Sequence, residues 1–154
     1  MNATIKTCAA IISMLVISFT GVCQKQDQVQ WSFESRKKSD NTYEVVLRAT
    51  IDKPWHIYSQ LTPDGGPLAT QITFASNPIT VIEGSAKEVG KLLTHHDKNF
   101  GVDVKYFSDN VEFVQTIKRK GTIKTSVRGS IEYMICDDTK CLPPVKKSFT
   151  IEIL

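Results

Sequence analysis

Tyr43-Glu44-Val45-Val46-Leu47-Arg48-Ala49-Thr50-Ile51 is the stretch that decides the fold. Side chains on extended backbone alternate between two faces, so Tyr43, Val45, Leu47, Ala49 and Ile51 fall together, with Glu44, Arg48 and Thr50 opposite them. An apolar face backed by a polar one is the pattern of a strand that covers a core on one side and meets water on the other. The late segment repeats it, with Val127, Ile131, Tyr133 and Ile135 inward and Arg128, Ser130 and Glu132 outward. Val29-Trp31-Phe33, Ile72-Phe74, Val102-Val104-Tyr106, Val111-Phe113 and Phe149-Ile151-Ile153 are shorter versions. Turn signals separate them at Ser39-Asp40-Asn41, Asp64-Gly65-Gly66-Pro67, Asn77-Pro78 and Lys120-Gly121. No stretch after residue 28 carries a sustained helical stripe, and the pattern predicts an all-β chain of seven to nine short strands. That spacing favours an immunoglobulin-like antiparallel β-sandwich over a barrel.

The first residues read differently. Lys6 precedes an apolar run from Cys8 to Val22, and a polar stretch begins at Gln24. This is the outline of a secretory signal peptide over residues 1–23, with cleavage after Gly21-Val22-Cys23. A lipoprotein anchored through Cys23 is the rival, although Val22 stands where Gly or Ala is usual. The run falls short of the roughly 20 apolar residues a transmembrane helix needs, and no later segment approaches that length. The mature chain is thus predicted to lack a transmembrane segment and to be soluble or tethered in the periplasm or cell envelope.

Residues 24–154 make one domain of a size that can bury its own core. The net charge is +3, or +2 once Lys6 is removed, with acids and bases scattered along the chain. Such a balance points to no nucleic-acid partner and to no strongly charged one.

Four cysteines become two when Cys8 and Cys23 leave with the leader. The remaining pair lies in Tyr133-Met134-Ile135-Cys136-Asp137-Asp138-Thr139-Lys140-Cys141-Leu142-Pro143-Pro144, in a compartment where disulfides persist. Alternation places Cys136 at the outward end of its strand with Met134 on the same face. Pro143-Pro144 prevents a strand from resuming at once. A bridge with Cα atoms about 5 to 6 Å apart suits this arrangement. Closing so short a loop contributes roughly 2 kcal/mol, against nearly 5 for a hundred-residue loop, so redox exchange is a stronger reason for the pair than stability. Asp137 and Asp138 disfavour a thiolate nearby and Lys140 favours one at Cys141, which makes Cys141 the better nucleophile. An inert hairpin disulfide is the plain alternative.

Two other segments carry chemistry-bearing residues. Trp55-His56-Ile57-Tyr58 leads into the Gly/Pro-rich loop Ser59 to Ala69, where it would line a pocket or simply supply a core tryptophan and a satisfied histidine. His95-His96-Asp97-Lys98-Asn99-Phe100-Gly101 reads as a polar flap ending in an aromatic, or as a solvated connection. Adjacent histidines on a strand point to opposite faces, so a metal would accept only one of them, and no metal site is expected.

With Tyr133, the Cys136 and Cys141 pair, Pro143-Pro144, the aromatic strand Trp55 to Tyr58, and the loop His96 to Gly101 followed by Tyr106, the chain resembles the amino-terminal periplasmic domain of the thiol:disulfide interchange protein DsbD family. The resemblance extends over nearly all of the mature sequence. It implies an immunoglobulin-like module that passes electrons from a thioredoxin-like or membrane donor to oxidised periplasmic proteins. It further implies that Cys141 carries the mixed disulfide and Cys136 resolves it. The loop Asp97 to Gly101 would cap the thiols, with Phe100 preferred over Asn99 as the covering side chain, and His56 and Tyr58 would stand where the family places active-site tyrosines. Three features depart from the family pattern: four residues separate the cysteines instead of five, His56 replaces a tyrosine, and one aromatic instead of two precedes Gly101.

The expected function is therefore thiol:disulfide exchange through a Cys136-Cys141 dithiol, which requires no cofactor. The chain ends at Leu154 without a thioredoxin-like domain, so the reductant is expected on another polypeptide. Two alternatives come from other classes. A copper-binding module would use both cysteines with Met134 or a histidine, since soft sulfur ligands select Cu(I). An adhesion or assembly domain would keep the disulfide inert.

Overall fold

A computed structural model describes residues 27–98 and 100–154, and every element in them is a strand. The strands are β1 (Val29–Ser39), β2 (Thr42–Ile51), β3 (His56–Tyr58), β4 (Gln71–Phe74), β5 (Thr80–Gly90), β6 (Leu93–Asp97), β7 (Val102–Phe107), β8 (Asn110–Arg119), β9 (Thr125–Tyr133), β10 (Ile135–Cys136) and β11 (Val145–Ile153). Among the described residues there is no helix long and apolar enough to cross a membrane. The signal-peptide reading, Cys8, Cys23 and Asn99 lie outside the described residues.

All pairings are antiparallel and build three sheets, in the orders β1-β2-β8-β5, β11-β9-β4 and β10-β3-β7-β6. One buried cluster takes side chains from all three. From β2 come Tyr43, Val45, Leu47, Ala49 and Ile51, the alternate residues of the opening stretch. Val127, Ile131 and Tyr133 of β9 and Phe149, Ile151 and Ile153 of β11 meet them from the opposite layer. Trp31 joins the layers, with its ring centroid 6.0 Å from that of Phe113 and 5.2 Å from that of Tyr133. Phe33 continues the aromatic seam to Phe149, which meets Phe74 edge-on at 5.6 Å. This is the immunoglobulin-like antiparallel sandwich that the alternation predicts.

Eleven strands replace the expected seven to nine, and the extra ones have physical causes. Strand β5 is an edge strand whose apolar residues Val81, Ile82 and Val89 are exposed, and its pairing with β8 shifts register between Glu83 and Lys87. Burial gives it no alternation to detect. Strand β6 contains His95, His96 and Asp97, the first part of the expected flap, and Lys98, Phe100 and Gly101 lie in the turn to β7. Gly101 closes that turn with φ of 69° and donates its amide to the Asp97 carbonyl at 2.7 Å.

Gly129 has a stricter reason for its identity. It lies mid-strand in β9 where a Cβ would strike the carbonyl oxygen of Thr73 on β4 and the ring of Phe149 on β11. Gly129→Ala is accordingly expected to destabilise the domain by about 1–3 kcal/mol, the usual range for overpacking. Urea unfolding monitored by tryptophan fluorescence measures it.

Candidate functional site

Strand β9 ends at Tyr133, and after Met134 the chain joins another sheet. Tyr133 is the last residue of β9 paired to β11, opposite Val145, whereas Ile135 and Cys136 pair with Ile57 and His56 of β3. The chain turns back over residues 137–140, and Cys141 returns directly opposite Cys136 in an isolated antiparallel bridge. The amide of Leu142 donates to the carbonyl of Ile135 at 2.8 Å, and that of Asp137 to the carbonyl of Lys140 at 2.9 Å. These bonds flank the cysteines, so Cys136 and Cys141 form a non-hydrogen-bonded pair, the closer of the two antiparallel spacings. Their sulfurs form a disulfide with the Cα atoms 4.0 Å apart, nearer than the 5 to 6 Å expected, because the two residues face each other across one narrow rung.

The sulfurs differ in setting. Cys136 is 1% exposed, while Cys141 is exposed. Cys136 points away from Ile135 and from the main core, as alternation predicts. It does not point to water, however. Tyr58 and Val104 bury it in a second small cluster, bordered by Val102, Tyr106 and Met134. The pairing of β3 with β7 supplies that cover.

The face around Cys136 is aromatic and imidazole-rich. His56 and Tyr58 alternate onto it from β3, with a 3.3 Å contact between His56 Nε2 and Tyr58 Oη. The Tyr106 ring lies 4.9 Å from that of His56 and 5.2 Å from that of His95. Burial, and after it the neighbouring His95, holds His56 below the ordinary histidine value. Burial also pushes Tyr58 up to about 12. His96 takes the other face of β6, with Nδ1 2.8 Å from Asp103 Oδ1, as expected for adjacent histidines. Among the described residues no three His, Cys, Asp or Glu side chains converge on a point that would hold a metal.

A cleft of about 500 Å³ lies between this face and the disulfide hairpin, lined by His56, Tyr58, His95, Asp97, Phe100 and Cys141. The residues proposed from the sequence thus come together, apart from the buried Cys136 and from Asn99. Phe100 stands at the rim, 44% exposed. Asp97 Oδ1 accepts the Phe100 amide at 3.4 Å. Lys140, next to Cys141, holds its ammonium 5.7 Å from the centroid of the Trp55 ring. Tyr106 also joins this face, as does His95, the first residue of the run read as a flap. The alternation of Val102, Val104 and Tyr106 was legible, but which strand they adjoin depends on pairing between distant segments.

The profile described as "Thiol:disulfide interchange protein DsbD, N-terminal" matches residues 22–153. The chain belongs to the DsbD N-terminal domain family. Among solved structures, the N-terminal periplasmic domain of ScsB from Proteus mirabilis superposes with a TM-score of 0.52 at 12% identity, covering 84% of this chain and 47% of that one, a likeness of fold. This chain spans about half the length of that ScsB structure. The reduced form of the Neisseria meningitidis DsbD N-terminal domain aligns with a TM-score of 0.44 at 15% identity, over 79% of this chain and 83% of that one. No curated protein matches the sequence. Membership in the DsbD N-terminal family is consistent with thiol-disulfide exchange.

Asp137 organises the hairpin tip. Its Oδ1 accepts the Thr139 hydroxyl at 2.7 Å, the Thr139 amide at 2.8 Å and the Lys140 amide at 2.9 Å. The Thr139 hydroxyl bond leads the causes that hold this carboxyl below its ordinary value. A depressed acid keeps its bonds above the unfolded value and loses them as pH falls through the lowered one. The amide resonances of Thr139 and Lys140 should therefore titrate together, with a midpoint below the ordinary aspartate range. Asp137→Ala should abolish that titration and speed exchange of both amides.

Proposed function

We propose that residues 24–154 form an exported thiol:disulfide exchange module, delivered to the periplasm or envelope by a leader over residues 1–23. In this reading it carries electrons between a thioredoxin-like or membrane donor and oxidised envelope proteins. The observation that carries the reading is the asymmetry of the disulfide, one sulfur accessible in a cleft and the other enclosed beneath it.

An incoming thiolate reaches Cys141. Its attack on Cys141 Sγ breaks the disulfide, releases the electron pair to Cys136, and leaves a mixed disulfide that the donor's second thiol resolves. The domain then holds two thiols. In the forward transfer the Cys141 thiolate attacks an acceptor disulfide, and Cys136 closes on Cys141 to expel the acceptor as a dithiol. Two electrons have passed, and the Cys136-Cys141 bond is restored. Asp97, Lys98 and Phe100 serve as a cap on the cleft, with Phe100 at its edge and Asp97 receiving the Phe100 amide.

Cys136→Ser should accumulate a covalent adduct with a thioredoxin-like partner on non-reducing gels, approaching one per chain, and Cys141→Ser should give none. Adducts formed chiefly by Cys141→Ser would reverse the roles. Phe100→Ala should alkylate severalfold faster than the parent when both are reduced, with unchanged thermal stability; equal rates would remove Phe100 from the cap.

A further inference from the structure

In the forward transfer Cys136 must shed a proton before its sulfur attacks, because the thiolate is the nucleophile. Solvent scarcely reaches that sulfur, which is 1% exposed beneath Tyr58 and Val104. A side chain has to receive the proton. His56 lies directly opposite Cys136 in the β3–β10 ladder, and opposed residues hold their Cβ atoms about 4.5–5.5 Å apart, within reach of an imidazole for a thiol. It is itself 7% exposed.

We propose that His56 is the proton acceptor for Cys136 in the resolving step of the exchange. This rests on the exchange reading above and deepens it. The Sγ–H bond of Cys136 breaks, and the proton passes to His56. The freed electron pair forms the bond to Cys141 Sγ, and the bond between Cys141 and the acceptor's sulfur breaks with its pair leaving on the acceptor thiolate. When the disulfide is reduced by a donor, the departing Cys136 thiolate takes up a proton through the same imidazole.

The groups facing His56 suit that work. From its own strand Tyr58 engages Nε2, which leaves Nδ1 for the thiol proton, and Tyr58 itself, pushed up to about 12, cannot serve as the base near neutrality. From β7 the Tyr106 ring packs at 4.9 Å. Burial and His95 of β6 keep the resting imidazole neutral, hence ready to accept. Asp138 and Asp137 of the hairpin and Asp97 of β6 act in the opposite sense, favouring the imidazolium once formed.

Stopped-flow reaction of the reduced protein with a dithio-bis-nitrobenzoate reagent separates the two steps. Each releases one coloured thiol, the first on attack by Cys141 and the second on resolution by Cys136. In His56→Gln the first phase should be unchanged and the second slowed on the order of a hundredfold. The parent's second phase should rise with pH and level off above a midpoint under the ordinary histidine value, a plateau the variant lacks. His56→Tyr, which keeps an aromatic ring beside Tyr58, should show the same loss and guards against a packing defect in the first variant. A second phase of parental rate and pH profile in either folded variant would overturn the assignment of His56. A parent that releases only one coloured thiol would instead overturn the exchange reading itself.

Discussion

The change of sheet at Met134 is the constraint on which the site depends. Tyr133 and Ile135 both enter the main core, so the chain is anchored on either side of the crossing. Between them the backbone passes from the β9–β11 ladder to β3, and the next residue is forced onto the far face of the new sheet. That residue is Cys136. Its neighbours are thereby set by strand pairing instead of loop conformation: His56 opposite, Tyr58 two residues along, Val104 and Tyr106 from β7. A sulfur held by a ladder has little freedom to wander, which is what the proposed exchange between three sulfurs in line requires.

The parts of the fold legible in the sequence are those in which burial imposes a period. Strands β2, β9 and β11 alternate because one side of each faces the core and the other is mostly polar, with Val46 of β2 the buried exception, and their core residues could be assigned to a face without knowing any partner. Strand β5 could not be read, since an edge strand with a register shift and exposed Val81, Ile82 and Val89 has no buried side to mark it. Strand β6 was hidden for a related reason, its His95-His96-Asp97 run being polar on both faces.

The site divides along the same line. Cys136 and Cys141 stood out by elimination, and alternation correctly gave Cys136 a face opposite to that of Ile135. What that face meets is decided by β3 and β7, some eighty and thirty residues upstream in the sequence numbering. Local periodicity holds no information about such pairing, so alternation gives the sulfur an outward place without the strands that cover it there. Likewise the link from His56 through Tyr106 to His95 joins three strands, and the sequence offered His56 and Tyr58 only as one of two readings, a pocket beside the bridge or part of the core.

The hairpin that presents the disulfide does not depend on the disulfide for its shape. Ile135 and Leu142 are joined by a backbone bond on one side of the cysteine pair, Asp137 and Lys140 by another on the other side, and the Asp137 carboxylate ties down the tip. The bridge closes so few residues that its entropic contribution is roughly 2 kcal/mol, and the main core takes no side chain from either cysteine. Breaking the sulfur–sulfur bond consequently removes a small term from the stability and leaves in place the contacts that hold the two residues face to face. A structural disulfide is normally placed where the fold needs a tie between distant segments. Here the segments are already tied, and what the sulfurs add is a bond accessible from one side and backed by a buried imidazole on the other.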